Sequence, residues 1–446
     1  MFMTSLSSHS VSMTDRKQGA SSPSISEVKP QSQAQESPDN DGNPSQIPDG
    51  GKQAWLVVLG AWCVSFCSYG WINSIGTFQE YYQSGPLKEY SASQISWIPS
   101  LQIFFMSFVG PVIGRVYDRY GLRWLMVVGS VMHVFGLMMA SLSSKYYQFM
   151  LSQGVCSAIG VAICFLSAIS VITQWFDKRR GLAFGTLATG SSLGGVVFPI
   201  MLSRLIETVG YGWAMRVSAF LILALLGPSG AGGSIRSAQG RRNMLKPFRE
   251  TQFLLLLVGL FLVPFGLYVP INYMPVASKG AGMTTDMAQN MVAIYNGASA
   301  VGRFSSGFIS DKAGRYNVFC ICCYIAGILI LGMWVPVSEA LPNAAAVSIA
   351  FAAMFGIFSG GYISLMASLV AAISPLEEIG YRNGITFFFS AIGGLTTNPI
   401  AGAILEAGGG NWVGLKTFAG VFMIAGTTFT LAVRIHRVGW GLTKVF

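Results

Sequence analysis

After a polar opening, the chain repeats one unit: a long apolar run, a short polar break, then another apolar run. A helix needs about 20 apolar residues to cross the hydrocarbon core of a bilayer. Runs of that kind lie at roughly 54–78, 95–116, 124–143, 149–173, 181–205, 209–226, 252–273, 288–309, 318–337, 344–369, 383–405 and 412–433. They predict an all-α membrane protein with twelve transmembrane helices. The sixth run is short, because Gly227-Pro228-Ser229-Gly230 interrupts it, so it must begin near Val209 to span. Residues 1–53, rich in Ser, Pro, Gln and Asn, read as a disordered tail without the apolar core of a signal peptide. The longest internal polar stretch, 227–250, reads as a linker between a bundle at 54–226 and one at 251–434, with a tail at 435–446.

Polar breaks are usually featureless, but two of them match. Gly114-Arg115-Val116-Tyr117-Asp118-Arg119-Tyr120-Gly121-Leu122-Arg123 separates the second and third runs. Gly307-Phe308-Ile309-Ser310-Asp311-Lys312-Ala313-Gly314-Arg315 separates the eighth and ninth. The repeat implies two related six-helix halves, a plan that lets a path open to alternate sides. The Asp suits either a basic partner or a positive helix N-terminus, and the basic residues suit acids or helix C-termini across the seam. Gly114 and Gly307 suit close helix contact, and Gly121 and Gly314 a tight turn. Such a loop acts as a conformational latch, not a binding site.

Composition agrees with a membrane. The 446 residues are 52% hydrophobic and 10% charged, where a soluble domain carries about 25% charge. The net charge of +10 is spread over short loops, so it orients the protein and does not bind nucleic acid. Arg119, Arg123, Lys178, Arg179, Arg180, Arg236, Arg241, Arg242, Lys246, Arg249, Lys312, Arg315 and Arg382 fall on one side, with Lys88, Lys145 and Lys279 on the other. That asymmetry puts both termini in the cytoplasm. All seven cysteines lie in apolar runs. Cys320, Cys322 and Cys323 have no His or acid beside them, so they read as small core residues and no metal or cofactor is expected.

The pattern Gly-x-x-x-Asp-Arg-x-Gly-x-Arg at Gly114–Arg123 resembles the signature loop of the major facilitator superfamily. Three further stretches resemble its monocarboxylate porter branch, especially fungal members. They are Asp49-Gly50-Gly51 before the first run, Tyr69-Gly70-Trp71-Ile72-Asn73-Ser74 at its end, and Trp175-Phe176-Asp177-Lys178-Arg179-Arg180-Gly181 before the fifth. In animal members of that branch a Lys on the first helix, and an Asp and an Arg on the eighth, bind a carboxylate and a proton. The Arg matches Arg303, but Asn73 stands at the Lys position and Ser299 at the Asp position. Simple proton–lactate symport is therefore not implied.

Arg303 remains the sharpest candidate. A charge inside a span costs about 2.5–3.5 kcal/mol on insertion scales, so it faces a wet cavity, a partner or the helix end. A guanidinium fork suits a carboxylate or enolate. His133, mid-span on the third run, reads either as a proton carrier or as a neutral link between helices. Asn73, Asn296, Tyr69, Tyr268 and Tyr362 either line a cavity or hold helices together. Pro264, Pro270 and Pro275 suggest kinks in the seventh helix.

No phosphate-binding loop, His-Glu-x-x-His or Gly-x-Ser-x-Gly motif appears, which argues against ATP-driven transport and a membrane enzyme. The resemblance implies a secondary transporter of a small organic, possibly anionic solute, coupled to a gradient, commonly of protons. The incomplete carboxylate site favours efflux of a fungal secondary metabolite. Uptake of a monocarboxylate or vitamin-like nutrient is the alternative, and a non-transporting sensor a remote one. The plasma membrane is the expected location, with the vacuole as alternative.

Overall fold

The computed structural model describes residues 47–227, 244–280, 282–337 and 343–441. The tail to residue 46, most of the linker with Arg236, Arg241 and Arg242, and Lys444 lie outside the described residues.

Twelve long helices make up the fold, and no strand occurs among the described residues. They are α1 (Lys52–Ile72), α2 (Trp97–Tyr120), α3 (Leu122–Leu142), α4 (Tyr146–Trp175), α5 (180–209), α6 (211–226), α7 (Thr251–Gly280), α8 (Thr285–Ala313), α9 (Arg315–Trp334), α10 (Ala344–Ala372), α11 (Ile379–Ala407) and α12 (Trp412–Val438). Inside lipid a helix satisfies its own backbone donors and acceptors, which is why apolar runs of this length take this form. Ten helices among the described residues are long and apolar enough to span. One of these, Arg180–Leu226, is α5 and α6 together. The twelfth, α8, is more polar, with Asn296, Ser299 and Arg303 along its length and Asp311 and Lys312 in its last turn.

Several boundaries differ from the sequence reading. Helix α1 is interrupted at Ser68 and its last turn ends at Ile72, not 78, with a separate helix from Ile75. The charged breaks are not hairpin loops. Helix α2 continues through Asp118 to Tyr120 and α3 begins at Leu122, so the turn is Gly121 alone, at φ +78°. Gly314, at φ +90°, does the same between α8 and α9. Only glycine takes such angles without strain. Helix α6 starts after Gly210, whose φ of 79° and ψ of 163° reverse the chain in a single residue. Helix α7 runs unbroken through Pro264, Pro270 and Pro275, since neighbouring helices can compensate the lost backbone bonds. Helix α4 contains a wider π-helical stretch at Met150–Ser157.

Buried apolar residues gather in two clusters. One draws on residues 54–226, joined by Ala367; the other on residues 253–433. Outward faces carry apolar side chains such as Val112, Trp124, Val131 and Ile328, which suit lipid.

Candidate functional site

Two corners join the halves at one end of the bundle. A helix begins with backbone N–H groups that have no partner in the helix. At the start of α11, Asp118 supplies the acceptors, taking bonds from Gly380 N at 3.0 Å and Tyr381 N at 2.9 Å. At the start of α5, Asp311 does the same for Gly181 N at 2.7 Å and Leu182 N at 2.8 Å. Each carboxylate caps a helix of the opposite half, where the helix dipole also favours negative charge. The glycines make this approach possible. A Cβ on Gly114 would sit 2.0 Å from Gly380 O, and one on Gly307 2.4 Å from Gly181 O.

The basic members of the repeat behave differently from expectation. Arg119 lies over the Tyr120 ring at 5.3 Å, Lys312 over Phe308 at 4.5 Å, and Arg123 is exposed. None of the three makes an ion pair among the described residues, because the Asp carboxylates have turned to backbone amides.

Each corner has a brace that the sequence reading missed. Beside Asp118, the buried Arg382 holds Glu250 with two bonds of 2.6 and 2.7 Å and Glu378 with bonds of 2.9 and 3.0 Å. Its hydrogen bonds hold the Glu250 carboxyl below its ordinary range. Tyr381 donates to Met244 O, tying the end of the linker to the same place. Beside Asp311, Asp49 accepts from the backbone of Asp177 at 2.6 Å and Lys178 at 2.7 Å, while Arg315 donates to Asp177 O. The Asp-Gly-Gly motif was the visible signal for Asp49. Glu250 lies in one polar break and the pair Glu378 and Arg382, four residues apart, in another, so no local pattern joins all three.

Between the halves lies a cavity of about 1340 Å³, counted out to its open mouth. Arg303 stands on its latch side, and Asn73 just past the end of α1, Ile271 on α7 and Gly394 at the middle of α11 line it further from the latch. Tyr69, Tyr268, Asn296 and Tyr362 line it, one of the two readings the sequence left open. Asn73 donates to Tyr69 O at 3.0 Å, and Tyr362 shares a bond with Ser390 at 2.9 Å. Rings from both halves meet, with Tyr69 4.5 Å from Phe165 and Phe165 5.8 Å from Phe387. Tyr295 also faces the cavity; its spacing of four from Ser299 and eight from Arg303 was the available clue.

Arg303 is buried, and its partners are all neutral. Its Nε donates to Ser299 Oγ at 3.1 Å, and its Nη1 to Ala188 O at 2.9 Å and to Ser191 Oγ. Ala188 and Ser191 belong to α5 of the other half. Ser299 thus supports the arginine from behind and does not line the cavity itself. His133 is outside the site. Its Nδ1 is 2.9 Å from Ser157 Oγ between α3 and α4, and Gly160 packs against its backbone. His133 is buried within one half and is not among the residues that line the cavity. Among the described residues lining the cavity there is no Asp, Glu, Lys or His.

The sequence profile of the Major Facilitator Superfamily matches residues 57–335 and 256–439. The MFS transporter asaE of Aspergillus flavus is 50% identical over 429 residues, covering 94% of each chain. The fujikurins efflux protein of Gibberella fujikuroi is 49% identical over 407 residues, covering 90% of this chain and 86% of its own. The aspyridones efflux protein apdF of Emericella nidulans is 35% identical, covering 87% and 79%. Among solved structures, the proton:xylose symporter XylE superposes with a TM-score of 0.70 at 16% identity, over 85% of this chain and 95% of its own. The transporter FucP in its outward conformation gives 0.66 at 15% identity, over 86% and 99%. At such identities the two structures speak for the fold alone. In fold, latch and sequence the chain belongs to the Major Facilitator Superfamily, as a multi-pass membrane transporter and not an enzyme.

Proposed function

We propose that the chain exports a secondary metabolite of the fungal kind: an acidic, largely apolar compound, moved by alternating access. The observation that carries this reading is Arg303, a buried cation with neutral partners only, on the latch side of an aromatic-walled cavity. A cargo that brings the missing negative charge and an apolar body fits both features. Relatives whose names specify efflux of fujikurins and aspyridones support the direction. Likeness to the monocarboxylate porter branch is a likeness of motifs, since Asn73 and Ser299 stand where its Lys and Asp would be. The symporters FucP and XylE are coupled to protons; here the described lining offers no carboxylate or imidazole to carry one.

The plasma membrane fits the export role. The basic residues at the latch end, among them Arg119, Arg123, Lys178, Arg179 and Arg315, favour placing that end in the cytoplasm with both termini. The conformation is then closed inward and open outward. A six-helix bundle at 54–226 and another at 251–434 are the units that rock.

Deleting the gene and profiling metabolites inside and outside the cells tests export. The expected result is an acidic apolar metabolite retained in the mycelium and restored to the medium by the wild-type gene, but not by Arg303→Ala at equal membrane abundance. An unchanged secreted profile, with growth lost on an organic acid, sinks the export reading in favour of uptake.

A further inference from the structure

Resting on the acidic-cargo reading, we infer that the site selects an enolate whose charge is shared with a conjugated ring over a free carboxylate, and that Ser191 sets this preference. A guanidinium has five N–H bonds and grips a carboxylate through two parallel ones. Two edges offer such a pair: Nη1 with Nη2, and Nε with Nη2. In this protein both edges are broken. The two hydrogens of Nη1 are engaged by Ala188 O and Ser191 Oγ, and the hydrogen of Nε by Ser299 Oγ. Ser191 also donates to Ala188 O at 3.0 Å, which closes a small ring of bonds around Nη1.

Only Nη2 makes no hydrogen bond within the described protein, and its two hydrogens point to different edges. A carboxylate therefore finds one guanidinium prong on either edge, and its second oxygen forgoes the parallel charged bond and must turn to a neutral lining group such as Tyr295 or Asn296, a weaker arrangement. An enolate presents one oxygen to that prong and carries the rest of its charge in the ring. Tyr69, Phe165 and Phe387 supply walls from both halves for such a ring to lie against. The backbone of Arg303 runs close to α5, for a Cβ on Gly185 would lie 2.7 Å from Arg303 O, and the bonds to Ser299, Ala188 and Ser191 hold the fork in this orientation.

The test uses the purified full chain in lipid nanodiscs and two probes with the same ring, chain and charge. One is 6-hexyl-4-hydroxycoumarin, ionised as its enolate; the other is 6-hexylcoumarin-3-carboxylate. The wild type is expected to bind the enolate about tenfold or more tighter, a ratio set by the loss of one charged hydrogen bond. Ser191→Ala frees an Nη1 hydrogen and should shrink the ratio to about threefold or less, by tightening the carboxylate. Ser191→Thr keeps the hydroxyl and should keep the ratio, which separates this positioning role from a packing one. Equal or tighter binding of the carboxylate by the wild type overturns the inference, and so does a ratio that Ser191→Ala leaves unchanged. Failure of both probes to bind, or equal binding after Arg303→Leu, overturns the acidic-cargo reading and this inference with it. Export is judged independently by the secretion profile.

Discussion

The two latch corners are built alike and braced differently. At the α2–α11 corner Asp118 caps a helix whose next turn carries Arg382, locked to Glu250 and Glu378 and tied to the end of the linker. At the α5–α8 corner Asp311 caps a helix whose next turns pack on Gly307 and on the backbone of Arg303. The first corner touches the linker, the second the cavity at Arg303. A cargo that pulls on Arg303 acts on the second corner directly and on the first only through movement of the whole half. The duplication thus supplied two copies of one capped corner, and different neighbours brace them differently.

The sharpest way to break the comparison is at Arg382. Its side chain has no exposure, and removing it leaves two carboxylates facing each other. Arg382→Ala should destabilise the protein by about 3–5 kcal/mol, read as a loss of thermal stability in detergent, while Arg315→Ala at the opposite corner should lose far less. Next is the seam itself. A Cβ on Gly181 would meet Ser310 Oγ at 2.0 Å and Gly307 O at 2.6 Å. Gly181→Val should force α5 from α8 and abolish transport, with spin-label distances between positions 123 and 437 shifted to longer values. If those distances stay unchanged, the corner is not a latch.

A smaller effect comes from the caps. Asp311→Asn and Asp118→Asn keep the shape and remove the charge, at a cost of about 1 kcal/mol each. The same distances should shift more for Asp311→Asn, since the Arg382 brace still holds the other corner. The smallest effect is a pH dependence. Glu250 titrates below its ordinary range because Arg382 binds its charged form. It therefore adds stability above the carboxylate's unfolded value of about 4.3, and loses it as pH falls through the lower folded value. Melting temperature should fall on acidification in the wild type, and less steeply in Glu250→Gln. With the carboxylate 36% exposed, the difference is modest.

Much of this was legible in the chain. Long apolar runs specify spanning helices directly, and an Asp between glycines at matched places gave both the duplication and the latch. Arg303 was visible because a charge in a span is conspicuous. What stayed hidden was partnership. Ser191 is an ordinary hydroxyl in a small-residue stretch, and only the approach of α8 to α5 gives it a role. Arg382 looked like one more loop cation until the start of α7 brought Glu250 to it. His133 was conspicuous for the same reason as Arg303, but the pattern along one helix does not say which neighbour it faces. The turns were overestimated because a single glycine at positive φ reverses the chain where several polar residues were expected to.

The glycine faces have a consequence for how easily the halves part. Gly114 lies against Gly380, Gly110 against Gly384, and Gly181 and Gly185 against Gly307. Surfaces without side chains press backbone to backbone and cover hardly any oily area, so separating them wets little that water avoids. The adhesive term of about 25 cal/mol per Å² that glues ordinary protein interfaces is nearly missing there. The balance between closed and open is left to the capping bonds, the bonds of Arg303 to α5 and a few ring contacts. A tilt of a few kcal/mol, within the reach of one small bound molecule, is then enough to reverse it.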